Sequence, residues 1–337
     1  MLYRCGLLRV EHLPVPVVVV GNITVGGVGK TPLVIHLARR LTALGWRVGI
    51  ISRGYGGKGD NGGSEVTEVF ADSNPEQVGD EPVLIAQGTG CPLVAGADRA
   101  QAARTLLAAH PEIQVILSDD GLQHYRLGRA LELVVTSAVA GLNGWPLPAG
   151  PMREPRSRLH SVDAVVVSVV AGASDAGDNA ANAVLPAPTL DVDGVEPSRC
   201  FRMATRTADF YSLTDRSQTC TAYAFKGMRL HALAGIGNPQ RFFTELQRMG
   251  ITAEEHVFPD HHAYRNDDLR FTGDAILTTE KDAVKLRRLV LDIPMLNMPM
   301  PDVRTLNLPV WVLPIEVSVE PDLAQFVVEK LNGRTPA

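Results

Sequence analysis

Four consecutive valines, Val17 to Val20, run into Gly21-Asn22-Ile23-Thr24-Val25-Gly26-Gly27-Val28-Gly29-Lys30-Thr31-Pro32. β-branched residues are stiff at χ1 and suit a buried strand. Leu33, Leu37, Leu41 and Leu44 then recur at helical spacing, and Gly45 stands where such a helix would stop. A strand, a glycine turn and a helix N-terminus in that order form a phosphate-binding loop. Glycines let backbone N–H groups approach phosphate oxygens without a Cβ between them, and the helix adds its positive end. Lys30 is placed to reach the β- and γ-phosphates, and the Thr31 hydroxyl to face Mg²⁺. Pro32 is harmless in a first turn that does not use its N–H. Thr24 stands where the spacing G-x-x-x-x-G-K-[ST] has its first glycine. Gly26 and Gly27 supply the freedom instead, so the loop is a variant.

The length of 337 residues suggests two domains. A 45% hydrophobic and 20% charged composition belongs to a soluble globular chain. The net charge of −5 argues against nucleic-acid binding. Cys5, Cys91, Cys200 and Cys220 are scattered and read as reduced thiols of a cytosolic protein. No apolar run is long enough to span a membrane, and residues 1–13 are too short for a secretory signal.

Strands alternating with helices through residue 170 imply an α/β fold, a parallel sheet covered by helices on both faces. A strand over Trp46 to Ser52 puts Arg53 on the edge where parallel sheets bind ligands, as a ligand contact or a solvated loop residue. Lys58 to Gly79 reads as a polar loop. Asp80 and Glu81 precede an apolar helix, either as helix-capping acids or as a base and an indirect Mg²⁺ ligand. Ile113 to Leu117 is an apolar strand leading through Ser118 into Asp119 and Asp120, and such an aspartate holds Mg²⁺ in P-loop proteins. Gln123 and His124 line the same edge. Leu147 to Arg158 is a Pro-Gly-Pro loop with Arg153, Arg156 and Arg158, a positive patch suited to an anionic substrate or a solvated loop.

Ala171 to Ser198 lacks periodicity and reads as a linker, and Phe201 to Phe225 as a two-stranded ribbon. A second unit opens with the strand Leu230 to Ala234 and the turn Gly235-Ile236-Gly237. Adjacent His261 and His262 diverge on any regular element, so they are poor joint metal ligands. One of them beside Asp260 suits an acid–base role. The expected division is residues 1–170 for the P-loop domain, 171–225 for linker and ribbon, and 226–337 for a smaller α/β domain.

Taken together, these motifs resemble the tetraacyldisaccharide 4′-kinase family, the lipid A 4′-kinases of Gram-negative bacteria. The likeness rests on the Val20–Pro32 loop, Ser52-Arg53-Gly54-Tyr55-Gly56, Gly79-Asp80-Glu81-Pro82 and Ser118-Asp119-Asp120-Gly121-Leu122-Gln123-His124. It continues through Pro148-Ala149-Gly150-Pro151, Arg153-Glu154-Pro155, Gly235-Ile236-Gly237-Asn238-Pro239, Asp260-His261-His262 and Thr279-Glu280-Lys281-Asp282. The resemblance implies transfer of the γ-phosphoryl of ATP to the 4′-hydroxyl of an acylated glucosamine disaccharide 1-phosphate. It implies that Asn22, Thr24, Gly26, Gly27, Gly29, Lys30 and Thr31 bind ATP, with Thr31, Asp119, Asp120 and Glu81 around Mg²⁺. Asp80 becomes the base, paired with His261 in preference to His262, and Lys30 joins the catalytic set. Arg53, Gln123, His124 and Arg153 take the substrate side. It also implies a peripheral enzyme of the cytoplasmic face of the inner membrane, with a cytoplasmic one as the alternative. The family's N-terminal hydrophobic helix is longer than the dozen or so residues before the first strand here, whose candidate apolar contacts are Leu2, Leu7, Leu8 and Val10.

Two other readings stand beside it. A switch ATPase acting on a protein partner has no use for Asp80 or the Arg153 loop. A regulatory GTPase needs an N/T-K-x-D run, and Thr279-Glu280-Lys281-Asp282 does not fit it.

Overall fold

The computed structural model describes residues 8–54, 66–137, 144–170, 194–291 and 308–333, together with Tyr3 and Val192. The strands are β1 (Val17–Gly21), β2 (Val48–Ser52), β3 (Thr67–Val69), β4 (Leu93–Ala95), β5 (Val115–Asp119), β6 (Leu131–Ser137), β7 (Ala164–Val170) and β8 (Cys200–Thr207). They continue as β9 (Phe210–Ser212), β10 (Thr219–Cys220), β11 (Leu230–Ala234), β12 (Glu254–Val257), β13 (Ala275–Thr279), β14 (Val310–Leu313) and β15 (Ile315–Glu320). The α-helices are α1 (Lys30–Ala43), α2 (Pro75–Val78), α3 (Asp80–Thr89), α4 (Arg99–Ala109), α5 (Pro239–Arg248), α6 (Glu280–Leu291) and α7 (Leu323–Asn332).

Among the described residues the strands form two sheets. The larger has the order β15-β8-β7-β6-β1-β5-β2-β4-β3 and the smaller β10-β9-β14-β13-β11-β12. The larger is parallel from β8 to β4, with β15 and β3 antiparallel at its edges. Burial on both faces explains why its inner strands β1, β2, β4 and β5 are buried along their whole length rather than alternating. Val18 and Val20 of β1 point into one core with Leu33, Leu37 and Leu41 of α1. Val17 and Val19 point into the other, with Ala103 and Leu106 of α4. Fully burying each such leucine contributes about 1.5–3 kcal/mol. That anchors α1 although Gly29 at its N-cap offers no side-chain cap. The amides of its first turn are therefore left for another acceptor.

Three expectations change. The segment read as the loop 58–79 contains β3 and the short helix α2, capped by Asn74, whose Oδ1 accepts from Glu76 N at 2.9 Å. A three-residue strand and a single helical turn are too short to show periodicity, and residues 55–65, with Tyr55, lie outside the described set. β8 and β9 do not pair as a ribbon. β8 lies beside β7 in the larger sheet, because Phe201 and Met203 fill one core and Cys200 the other. β9 enters the smaller sheet, pairing with β10 and β14. Finally, β15 and α7, expected in the smaller C-terminal domain, return to the larger sheet, where Val327 and Leu331 join its core. Most of the expected linker, residues 171–191, also lies outside the described set.

The topology fixes where a ligand can bind. β1 and β5 are neighbours in parallel register, with Val20 opposite Asp119. The chain leaves β1 toward β2 on one side and leaves β5 toward β6 on the other. A crevice opens at the carboxyl ends of strands where the order reverses in this way.

Candidate active site

At that crevice the glycine loop closes around Lys30. Gly26 and Gly29 have φ of 101° and 92°, a region that costs other residues a Cβ clash. Asn22 is fully buried; its Nδ2 donates to the Thr24 carbonyl at 2.6 Å. Its Oδ1 accepts from Lys30 Nζ at 3.1 Å, and Asp120 Oδ1 lies 3.5 Å from the same ammonium. Thr31 follows Lys30 in the first turn of α1.

The Pro-Gly-Pro loop packs directly on this phosphate loop. Val25 N donates to the Pro151 carbonyl at 2.8 Å and Arg153 N to the Ile23 carbonyl at 2.7 Å. Arg153 Nη1 then donates to both carboxylate oxygens of Asp120 at 3.0 Å. Gln123 Nε2 donates to the Asn22 carbonyl at 3.2 Å and to Glu154 Oε1 at 2.8 Å. Arg158 is buried and bonds Glu132 and Glu154. The expected triple-arginine patch therefore divides, because two of its guanidiniums have their own carboxylates. Only Arg156 faces solvent among the three.

Asp119 and Asp120 differ sharply. Asp119 is buried; its Oδ2 accepts from Ser52 Oγ at 3.2 Å, and its Oδ1 has no hydrogen-bond partner among the described residues. Burial, with Glu81 and Asp120 nearby, pushes its carboxyl up to about 7. A buried carboxylate oxygen with no donor fits a hard cation, and oxygen ligands are what Mg²⁺ takes. Burial also acts to raise Asp120, but Lys30 and Arg153 outweigh it and hold its carboxyl below the usual range.

Facing them is a second cluster. Asp80 opens α3 at 4% exposure. Nδ1 of His261 lies 3.0 Å and 3.1 Å from its two carboxylate oxygens. Lys281 Nζ reaches Glu81 at 3.3 Å, Asp260 at 3.2 Å and Asp80 at 3.9 Å. Desolvation opposes the charge on Asp80, yet His261 and Lys281 hold its carboxyl below the ordinary value. The hydrogen bond to Asp80 raises His261 in turn. His262 turns away to Asp268, with Nε2 to Oδ2 at 3.0 Å. The loop after β11 is tied down by Asp282, which accepts from Gly235 N at 3.0 Å and Tyr264 OH at 3.0 Å. A Cβ on Gly235 would sit 2.7 Å from that hydroxyl, so this glycine serves close packing.

Burial pushes His124 down to about 4, aided by Arg99 and Arg53. Lys281, Arg99 and Glu154 were absent from the sequence-derived site. Arg99 is buried beneath Asp119 and donates to its carbonyl at 3.4 Å. The signal for Lys281 was present, as a lysine between two acids just past a strand end.

This fold and site define a P-loop phosphotransferase. A family model described as tetraacyldisaccharide-1-P 4′-kinase, LpxK, matches residues 1–332. A tetraacyldisaccharide 4′-kinase of Dechloromonas aromatica is 46% identical over 98% of this chain and 88% of its own length. One of Chromobacterium violaceum is also 46% identical, over the same shares. Among solved structures, LpxK from Aquifex aeolicus in complex with ATP aligns at a TM-score of 0.72 and 28% identity, covering 98% of this chain and 93% of that one. The chain belongs to the tetraacyldisaccharide 4′-kinase family.

Proposed function

We propose that the chain transfers the γ-phosphoryl of ATP to the 4′-hydroxyl of a tetraacylated glucosamine disaccharide 1-phosphate. The observation that carries this reading is the pairing of two clusters across one crevice. Lys30 with Asp119 and Asp120 stands on one side, and Asp80 with His261 on the other.

Lys30 exchanges Asn22 and Asp120 for β- and γ-phosphate oxygens, while the amides of the glycine loop and the first turn of α1 cradle the chain of phosphates. Thr31, Asp119 and Asp120 would hold Mg²⁺, with Glu81 beside them. When bound, that ion neutralises charge on the phosphates. Asp80 is the base. It takes the proton of the 4′-hydroxyl as that oxygen attacks the γ-phosphorus and the bond to the β-phosphate oxygen breaks, releasing ADP, and His261 orients the carboxylate through Nδ1–H. A depressed carboxylate is a weak base, which suffices because phosphoryl transfer needs positioning more than early proton removal. Arg53 and Arg153 line the substrate side, Arg153 held against Asp120, and Gln123 with a neutral His124 lines the approach. The smaller sheet carries His261, so forming the dyad closes the crevice and excludes water.

The acceptor is a lipid, and the enzyme meets it at the cytoplasmic face of the inner membrane. No helix among the described residues is long and apolar enough to cross a membrane. Trp145, Leu147 and Val25, exposed at 62%, 55% and 44%, lie on the two loops that pack together at the crevice. Such an aromatic and aliphatic lip inserts at a lipid interface.

The test is nucleotide turnover with and without acceptor. ADP formation from ATP that depends on the dispersed acylated disaccharide, with the phosphoryl group recovered on the lipid, supports the reading. Turnover indifferent to that lipid and raised by a protein partner would replace it with a switch ATPase.

A further inference from the structure

The smaller sheet holds a second cluster of ligand-type side chains outside the crevice. β11 and β12 run parallel, with His231 opposite Glu254 and Leu233 opposite His256. Nδ1 of His231 lies 3.0 Å from Nε2 of His256. Glu254 places Oε2 3.5 Å from His231 Nδ1 and Oε1 3.9 Å from His256 Nε2. We propose that His231, Glu254 and His256 bind a borderline divalent transition-metal ion, with Zn²⁺ as the first candidate.

Four features carry the proposal. Ligand bonds of ~2.0–2.1 Å in a tetrahedron set neighbouring donor atoms roughly 3.3 Å apart; the two imidazole nitrogens lie 3.0 Å apart, and one donor atom from each of the three residues lies within 4.8 Å of the others. Next, His231 Nε2 lies 3.3 Å from the Thr272 carbonyl, which can only accept. That carbonyl can accept from Nε2–H, which leaves Nδ1 as the nitrogen turned toward the cluster, the arrangement an outer carbonyl gives a metal-bound histidine. Third, Phe271 stacks on His231 at 4.5 Å and 16° and lies 4.2 Å from the His256 ring. It walls the cluster with apolar surface. Last, two imidazoles and a carboxylate suit Zn²⁺, Ni²⁺ or Co²⁺, whereas Mg²⁺ prefers oxygen donors. The site therefore does not compete for the ion of the crevice. Glu254 is well exposed, so the fourth position opens to water.

The consequence is mechanical. β12 ends at Val257, and the chain reaches Asp260 and His261 three and four residues later. A cation joining β12 to β11 steadies the segment that presents His261 to Asp80.

The test titrates Zn²⁺ into the full chain at saturating Mg²⁺ and follows the unfolding midpoint. Co²⁺ binding, read from its visible absorption, runs alongside. The wild-type midpoint is expected to rise with zinc. Binding in His256→Ala and Glu254→Gln is expected to weaken by about 10-fold or more, since even outer-shell changes at such sites cost 10–100-fold. Glu254 is exposed, so Glu254→Gln folds and keeps the test clean. No zinc response in the wild type would reduce the cluster to a hydrogen bond between two imidazoles. An identical response in both variants would place the zinc elsewhere. Either result overturns the proposal.

Discussion

Nδ1 of His261 lies 3.0 Å from Oδ1 of Asp80, although the two residues are 181 positions apart in the chain. One side chain opens a helix of the larger sheet, and the other follows a strand of the smaller one. Their contact is the point at which the two sheets can become one active site.

Asp80→Asn keeps the shape of the side chain and removes its charge. The expected outcome is a loss of turnover of about 10²–10⁴-fold, the usual range for a general base, with ATP affinity unchanged. His261→Ala lowers kcat in the same direction, and the double variant is little worse than Asp80→Asn alone, because the two act as a unit. Kinetics with nucleotide binding measured separately check this. Equal loss of ATP affinity in Asp80→Asn would move Asp80 into the phosphate site.

The dyad also sets a pH dependence. His261 is raised above 6.5, so its contribution is complete below pH 6.5 and is lost as pH rises through the raised value. Asp80 is depressed below 3.8, so its contribution is complete above pH 3.8 and is lost as pH falls through the depressed value. The pair therefore stabilises the fold most between those two values. The difference in urea midpoint between wild type and His261→Gln is expected to be largest there and to shrink at high pH. A difference that stays constant through the titration of His261 would contradict the ion pair.

Gly29→Ala places a side chain at φ 92° with its Cβ 2.8 Å from Met203 Cε. The backbone alone costs about 1–2 kcal/mol. Gly27→Ala is the control, because a Cβ there meets nothing within 4 Å. Urea unfolding should show the first variant destabilised and the second within about 0.5 kcal/mol of wild type. ATP binding is expected to follow the same order.

Trp145→Ser combined with Leu147→Ser removes the two most exposed apolar groups beside the glycine loop. Sedimentation with anionic vesicles is expected to show binding weakened about tenfold or more, since 1.4 kcal/mol is a factor of ten and burying one such side chain exceeds that. Turnover on a short-chain, water-soluble acceptor should be preserved. Unchanged vesicle binding would place the lipid contact elsewhere.

The local half of this architecture was legible in the sequence. Val17 to Thr31 and Val115 to Asp120 each announce themselves within one strand and its following turn, since their chemistry depends on immediate neighbours. What stayed hidden depends on long-range pairing. Sequence preferred His261 to His262 only through family resemblance, and the physical distinction is that Asp268 engages His262 six residues on. Arg158 looked like surface charge, but Glu132 and Glu154 allow it to be buried. β15 and α7 return to the larger sheet because their apolar faces complete its core, which no motif states. Lys281 gains its meaning only once α6 is set against α3, where it links Glu81, Asp260 and Asp80.

The most direct measurement is single-turnover transfer of label from γ-labelled ATP to a detergent-dispersed tetraacyldisaccharide 1-phosphate. It compares wild type with Lys30→Ala and Asp80→Asn. The expected result is label on the 4′ position with the wild type. Lys30→Ala should lose transfer together with ATP affinity, and Asp80→Asn should lose transfer alone. Labelled lipid formed at the wild-type rate by Asp80→Asn would contradict the proposed dyad, and free phosphate without labelled lipid in the wild type would contradict the kinase itself.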